Sequence, residues 1–366
     1  GLRGWEGKGG GPPLQPDNDT GGGFLTRQPL TSFAQEATVL QPRMSTLTLG
    51  EVLEKSQEWL RSRGVDSPRL DAEQLARQVL GLDRLQLILQ RERLLEEAER
   101  LAIRELVQRR GAREPLAWIL GHKGFHELDL HVHKGVLVPR ADTETLVLAA
   151  LERIPEGQEL FVADVGCGSG AIGLAIAAAR PQVKVYAIDL SDEALENTRD
   201  NVAALGLQAR VAVLKGDLLA PVPPSRPIDL VLSNPPYIAR AVIDGLDPEV
   251  SRFEPRLALD GGPDGLDLYR RLLPQARARA RVGLLVEIGH DQGAAVQALF
   301  AQAGFQDVAL RRDLGGRDRV VSGTVPGATW AQAPSTGEWS VELIREEQPP
   351  ALDEEGNPLP VIDAER

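Results

Sequence analysis

From Leu160 onward the chain alternates short apolar runs with helix-like stretches, and that rhythm constrains the fold more than any other feature. The runs are "LFVADVG", "KVYAID", "VAVLKGD", "DLVLSNPPY" and "GLLVEIG". Helical patterns are expected over Gly170 to Ala179, from about Asp192 to Leu205, and from about Gln292 to Ala303. Strands that are apolar on both faces belong to a sheet covered on both sides, and alternation with helices makes that sheet mostly parallel. The fold class is therefore α/β and doubly wound. The last runs, "DVAL" and "RVVSG", have no clear helix between them, so an antiparallel pair is expected at one edge.

"ADVGCGSGAIG" ends the first of these strands and opens a helix. Gly166, Gly168 and Gly170 let the backbone turn tightly and approach a ligand where a Cβ would collide. As a string it also satisfies the loose dinucleotide fingerprint, with Asp189 at about the spacing of a ribose-binding acid. A nicotinamide oxidoreductase and an S-adenosyl-L-methionine (SAM) methyltransferase fit it about equally. Two further acids favour SAM. Asp164 precedes Gly166 by two residues, where it could face a cationic ligand end, and Asp217 ends the third strand, where it could accept an adenine amino group. Three carboxylates suit a sulfonium and repel a pyrophosphate.

The fourth strand runs into Asn234-Pro235-Pro236-Tyr237. Two prolines end a strand abruptly and hold the chain extended. The segment sits at the carboxyl edge of the sheet, where ligands collect in open α/β folds. The Asn234 side-chain oxygen and the Pro235 carbonyl could grip an amino group from two sides, with neither proline offering a competing N–H, and Tyr237 could pack on a planar amide or base. An amide nitrogen is a poor nucleophile, so catalysis would rest on positioning and on acceptors that strengthen as the nitrogen gains charge. The simpler alternative is a stiff strand-exit turn.

Upstream the pattern is different. Residues 1–45, rich in Gly, Pro, Gln and Thr, show no helical or strand period and are expected to be a disordered extension. Met44, the chain's single methionine, suggests a natural start there; the acids in the extension argue against a transit peptide. Residues 46–117 read as a helical bundle: "TLGE" is a capping box, Ser67-Pro68 starts a second helix, and a third is expected from about Leu94 to Arg110. From Phe125 to Val138 the period is two, and Lys134-Gly135 supplies a turn, so residues 118–138 read as a linking β-hairpin. Its His126, His131 and His133 lack the converging partners that a metal needs, so no metal is expected.

Composition narrows the function classes. A formal net charge of -12 argues against a general nucleic-acid or anionic-membrane binder. Nine acids against Arg345 and Arg366 put much of that charge after Thr324, and residues 325–366 are expected to be an acidic, disordered tail. One cysteine, Cys167, permits no intrachain disulfide and is compatible with a reducing compartment. No apolar run approaches the roughly 20 residues needed to span a bilayer. A soluble, cytoplasmic protein is expected.

"NPPY" after such a glycine loop resembles the amino-methyltransferases, and other stretches narrow the resemblance. They are "REPLAWILGHKGFHELDLHVHKGVLVPRADTETLV" (Arg113 to Val147), "EPRLALDGGPDGLDLYRRLL" (Glu254 to Leu273), "LLVEIGHDQG" (Leu284 to Gly293) and "DLGGRDRVV" (Asp313 to Val321). Together they resemble the HemK/PrmC family, the N5-glutamine methyltransferases of peptide chain release factors, over about Thr46 to Gly323. The resemblance implies a class I SAM-dependent methyltransferase, Rossmann-like with a mostly parallel seven-stranded sheet, occupying residues 139–324 behind a helical substrate-docking domain and hairpin. It implies that Gly166, Cys167, Gly168, Ser169 and Gly170 line the SAM methionine and ribose, with Asp189 at the ribose and Leu218 near the adenine. Asn234, Pro235, Pro236 and Tyr237 would bind the substrate glutamine, with Asn234 also bordering SAM. Arg140, Thr143 and Glu144 would shape the pocket. The partner implied is a release factor with a Gly-Gly-Gln loop, and the enzyme is expected to be a monomer without sequence-specific nucleic-acid binding. The family's Gln-Tyr after "PL" is Ala117-Trp118 here, and the acidic tail matches nothing in the pattern. A ribosomal-protein glutamine remains an alternative acceptor. Adenine N6-methylation would want a basic groove, and a SAM-binding protein without catalysis would not need Asn234.

Overall fold

The computed structural model describes residues 47–329 and 339–347. Expectations for 1–45, and for the tail outside 325–329 and 339–347, lie beyond the described residues. The chain first forms α1 (Leu49–Ser62), α2 (Pro68–Leu80), α3 (Arg84–Leu89), α4 (Glu97–Gly111) and α5 (Leu116–Leu120). The capping box at α1 is present: Thr48 Oγ1 accepts the Glu51 N–H at 3.2 Å, and Glu51 Oε2 accepts the Thr48 N–H at 2.8 Å. Leu49, Leu60, Leu75 and Ile103 bury a common core between α1, α2 and α4. The third long helix starts at Glu97, not near Leu94, because Leu94 pairs with Thr48 as an extended bridge.

The hairpin differs in register from its sequence reading. Strands β1 (His122–Phe125) and β2 (Leu128–His131) pair antiparallel with His122 opposite His131, and the turn falls at His126-Glu127. Lys134-Gly135 therefore lies outside the hairpin, and the expected boundary at residue 118 falls inside α5. His126 takes the turn with φ 53°.

The larger, sheet-containing unit continues with α6 (Glu144–Leu151), β3 (Leu160–Val165), α7 (Ala171–Ala179), β4 (Val183–Asp189), α8 (Asp192–Ala204), β5 (Val211–Lys215) and β6 (Ile228–Ser233). Next come α9 (Pro248–Ser251), α10 (Asp267–Arg279), β7 (Ala280–Glu287), α11 (Gly293–Gln302), β8 (Gln306–Arg312), β9 (Asp318–Thr324) and α12 (Val341–Glu346). Seven strands form one sheet in the order β5-β4-β3-β6-β7-β9-β8. β9 runs antiparallel to both β7 and β8; every other pairing is parallel. This is the doubly wound architecture with its antiparallel edge. The crossing from β3 back to β4 and out to β6 makes the topological switch point at the carboxyl ends of those strands.

Each face of the sheet has its own core. Leu146, Ile172, Leu174 and Leu195 from α6, α7 and α8 cover one face. Tyr269 and Leu272 of α10, Val296 and Phe300 of α11, and Ile344 of α12 cover the other. Between β5 and β6 there is a loop instead of a helix, and α12 packs beside β5 on that second face. Trp339 lies 5.2 Å from the Tyr186 ring and 5.8 Å from Phe161, and its indole N–H donates to the Ala209 carbonyl at 2.9 Å. Ile344 is fully buried, and Glu347 accepts two bonds from Arg226. Residues 339–347 are thus an ordered part of the sheet-containing unit, contrary to the expected disordered tail. Charge dominated that expectation, while the apolar residues Trp339, Val341 and Ile344 decide the outcome. Among the described residues no helix is long and apolar enough to cross a membrane.

Candidate active site

The glycine loop is built where β3 ends. The N–H groups of Gly166 and Cys167 both donate to the Ile188 carbonyl of neighbouring β4, at 2.8 and 2.9 Å. Gly168, at φ 58°, directs its N–H to Asp189 Oδ2 at 2.9 Å, and a Cβ there would meet open space, so conformation, not crowding, requires the glycine. Gly170 caps α7, and the Ser169 carbonyl accepts from Asn201 at 2.9 Å. Cys167 is buried against Thr198, and burial, with Asp189 and Asp164 nearby, pushes its thiol well up, so it is a packing residue and not a thiolate.

Asp164 is fully buried on β3. Its Oδ2 accepts the Gly173 N–H at 2.8 Å, while Oδ1 has no partner among the described residues. Burial raises this carboxyl to about 7. Asp189, at the tip of β4, is also raised by burial, against the lowering N–H bonds from Ser191 and Gly168. Asp217 is separate from this pair: it is half-exposed and its carboxylate is taken up by Arg271 of α10. Leu218 beside it is buried and holds φ 51°, a strained conformation for a leucine.

One strand over, Asn234 follows β6, and the register sets Ser233 opposite Val165. The sequence-expected pair, glycine loop and Asn-Pro-Pro-Tyr, therefore lies on adjacent strands at one edge. Asn234 Nδ2 donates to Thr143 Oγ1 at 3.2 Å. Asn234, Pro235 and Tyr237 line a cavity of about 190 Å³ together with Leu137, Arg140 and Val250. Of the three residues expected to shape this pocket, Thr143 touches Asn234 and Arg140 lines the wall, paired with buried Glu254. Glu144 instead accepts the His126 N–H at 3.0 Å and fastens the hairpin.

Several residues were not assigned roles by sequence reasoning, although the stretches holding them were noted. Gln292 donates to the Tyr237 carbonyl at 2.9 Å, and Gly265, at φ 77°, sits so close that a Cβ would be 2.3 Å from that same oxygen. The glycines of "DGGPDGL" therefore let a second segment clasp the backbone of Tyr237. Glu287 ends β7 with 1% exposure, and its Oε1 accepts from Tyr237 Oη at 3.3 Å. Burial raises it to about 7 against the lowering influence of Thr143, Arg319 and Tyr237, with Asp142 adding to the rise. Burial likewise pushes the Tyr237 hydroxyl up, so it stays neutral. Farther out, a cleft of about 580 Å³ shares Arg140, Asp247 and Val250 with the cavity and extends to Leu116 and Gln74 of the helical domain. Arg113 grips Glu249 of α9 through Nε at 2.7 Å, and Arg110 adds a bond at 2.8 Å. No spacing rule would reveal these long-range ion pairs.

Two family models match the chain: the PrmC N-terminal domain over residues 51–121 and the methyltransferase small domain over 127–245. A release factor glutamine methyltransferase of Caulobacter vibrioides is 44% identical over 280 residues, 76% of this chain and 96% of its own. Its counterpart from Moorella thermoacetica is 44% identical over 276 residues, covering 75% and 97%. That of Geobacter sulfurreducens is 41% identical over 280 residues, covering 76% and 97%. With nearly the whole length of each relative matched, helical domain and catalytic unit together, the chain belongs to the release factor glutamine methyltransferase family.

Proposed function

We propose that this protein transfers a methyl group from SAM to the side-chain amide nitrogen of the glutamine in a release factor's Gly-Gly-Gln loop. The observation that carries the reading is Asn234 at the carboxyl end of β6, lining a small cavity one strand from the glycine loop. The residues at that loop fit SAM. Asp164 keeps a buried oxygen without a partner among the described residues, which suits a cationic amino or sulfonium group. Asp189 presents a carboxylate at the strand tip for ribose hydroxyls, and Leu218 offers an apolar surface to a base. SAM supplies, when bound, an electrophilic methyl on a sulfonium.

The chain's own part is positioning. Asn234 Oδ1 and the Pro235 carbonyl accept the two protons of the glutamine amide, so its nitrogen is held with a fixed approach. Pro236 has no N–H to compete for those acceptors. Tyr237, neutral and partly buried, packs against the planar amide. As nitrogen forms the bond to the methyl, whose bond to sulfur breaks, it would gain positive charge that both acceptors bind more strongly than in the ground state, and its surplus proton would then pass to water. The cleft beyond would receive the rest of the loop, with the helical domain at residues 46–117 as its second wall. The charged lining of the cleft is mixed, Asp66, Asp247, Glu249 and Glu254 with Arg110, Lys123 and Arg140, and so lacks the basic groove that a nucleic acid would want.

The test is intact-peptide mass spectrometry of a purified release factor after incubation with the protein and SAM, with Asn234→Ala alongside. A single methyl on the Gly-Gly-Gln glutamine, absent with the variant, is expected. Methylation of a ribosomal protein in preference to the release factor would replace the acceptor, and absence of SAM binding by calorimetry would overturn the reading.

A further inference from the structure

Helix α8 turns a buried polar face toward two other parts of the chain. Asn197, Thr198 and Asn201 lie within one turn of each other and are each 1% exposed or less. Asn197 holds the linker hairpin: its Oδ1 accepts the His133 N–H at 3.0 Å, and its Nδ2 donates to the His131 carbonyl at 2.8 Å. Thr198 holds the glycine loop, donating its hydroxyl proton to the Gly168 carbonyl at 2.9 Å. Asn201 holds both. Its Oδ1 accepts the His131 N–H at 2.7 Å, and its Nδ2 donates to the His131 carbonyl at 3.0 Å and to the Ser169 carbonyl at 2.9 Å.

A side-chain amide has one oxygen and two N–H protons, and Asn201 has all three in use. His131 ends β2. The Val132 N–H turns to the Gly121 carbonyl, so the His131 N–H and carbonyl face the other way, off the paired side of the hairpin. Asn201 closes that open edge as a neighbouring strand would, and the two bonds decide which end of its amide is nitrogen. The remaining proton then points at the Ser169 carbonyl. Ser169 sits between Gly168 at φ 58° and Gly170 at φ 82°, glycines that could take other paths. Bonds from α8 to two consecutive carbonyls, those of Gly168 and Ser169, select one path.

We infer that Asn201 is a positioning residue for the donor: with its amide oriented by the backbone of β2, it holds the glycine loop in the shape that receives SAM. The effect on SAM rests on the methyltransferase reading; the hold on the loop does not. Asn197 grips the same hairpin and has no bond to the loop among the described residues, so it separates this role from the seating of the hairpin.

Calorimetry of SAM binding to the full chain is the test. Asn201→Ala should raise the Kd on the order of 10-fold and Asn197→Ala should leave it within about twofold, although both lower the urea midpoint by loosening the hairpin. With a release factor as acceptor, the Asn201→Ala loss should fall on KM for SAM, with kcat kept within about threefold, because saturating SAM restores the path of the loop. His131→Pro removes the N–H that orients the amide, at a strand edge where proline is tolerated, and should weaken SAM binding at least about threefold from outside α8 and the loop. Should Asn201→Ala not fold, Asn201→Ser, which keeps a polar group in the same space, carries the same comparison. Equal Kd values for the Asn201 and Asn197 variants, or an unchanged one in His131→Pro, would overturn the inference.

The loop can also be followed without SAM. The N–H groups of Gly168 and Gly170 bond Asp189 Oδ2 and the Cys167 carbonyl. Their exchange with water should quicken about tenfold more in Asn201→Ala than in Asn197→Ala. Equal quickening would mean that both variants act by general loosening, and would overturn the inference. Should the wild type bind no SAM, the functional reading falls, and the exchange comparison still decides whether Asn201 holds the loop.

Discussion

Replacing Asp164 by asparagine should make the free protein more stable and worse at holding SAM. The carboxyl is fully buried, with one bond from Gly173 and an unpartnered Oδ1. Its value of about 7 in the folded chain compares with about 3.9 unfolded, and each unit is worth about 1.4 kcal/mol. The sign follows from proton binding. Between pH 4 and 7 the folded state holds the proton more tightly than the unfolded one, so stability falls as pH rises through that window. Above pH 7 the whole penalty, up to about 4 kcal/mol, weighs on the wild type, and below pH 4 none does. Asparagine keeps an oxygen for the Gly173 N–H and carries no charge, so Asp164→Asn should gain about 3 kcal/mol at pH 8 and almost nothing at pH 4. Urea denaturation at the two pH values measures the difference directly. If Asp164 faces the cationic end of SAM, the variant should also lose on the order of 100-fold in SAM affinity at pH 8. Calorimetry in buffers of different ionisation enthalpy adds a further check: near pH 6 the wild type should release a proton on binding SAM, and the variant should not. A variant less stable than wild type at pH 8 would mean that the carboxylate is compensated inside the fold. Unchanged SAM affinity would remove Asp164 from the cationic end of the ligand.

Asn234→Ala should lower kcat by about 100-fold or more, with SAM affinity within about threefold, as a steady-state assay on a release factor and calorimetry would show. Glu249→Gln, which weakens the grip of Arg113 and Arg110 on α9, should raise KM for the protein acceptor about tenfold and leave SAM binding alone; an equal loss of both would mean global damage. Ile344→Ala should cost about 2 to 4 kcal/mol in urea denaturation and shift Trp339 fluorescence to the red as α12 loosens from Tyr186 and Phe161.

The sheet and the strand exit at its carboxyl edge were legible because they are written locally. Apolar runs such as "DLVLS" and the glycine loop carry their own geometry, and Asn234-Pro235-Pro236-Tyr237 announces a strand exit wherever it occurs. The placing of Asp164 on the first strand of the unit and of Asp189 at the tip of the next was legible by spacing alone. The errors have a common cause in long-range contacts. Lys134-Gly135 looks like a turn, yet Glu144 of a later helix binds the His126 N–H and the hairpin turns there instead. The tail looked solvated because acids outnumber bases, whereas three apolar residues find an uncovered sheet face more than a hundred residues away in sequence. Glu287 ends an apolar strand and was read only as part of a family-like stretch. Its surroundings depend on Tyr237 meeting it in space.

On the proposed reading, the placement of α12 bears on how the donor side of the site is supported. β5 and β4 carry Asp189, Asp217 and Leu218 at their carboxyl ends, and the segment joining β5 to β6 contributes no helix to the face beneath them. Without a cover there, Tyr186 and Phe161 would expose apolar surface directly under the ligand-binding edge, and strands with one bare face gain little from burial. Trp339 and Ile344 supply that cover from the far end of the chain. The acceptor side is supported differently: the glycines of "DGGPDGL" and Gln292 clasp Tyr237, while Arg113 reaches across from the helical domain to hold α9. Donor and acceptor supports therefore share almost no residues. Loosening α12 should weaken SAM binding before it touches the acceptor, and loosening the Arg113–Glu249 grip should do the reverse.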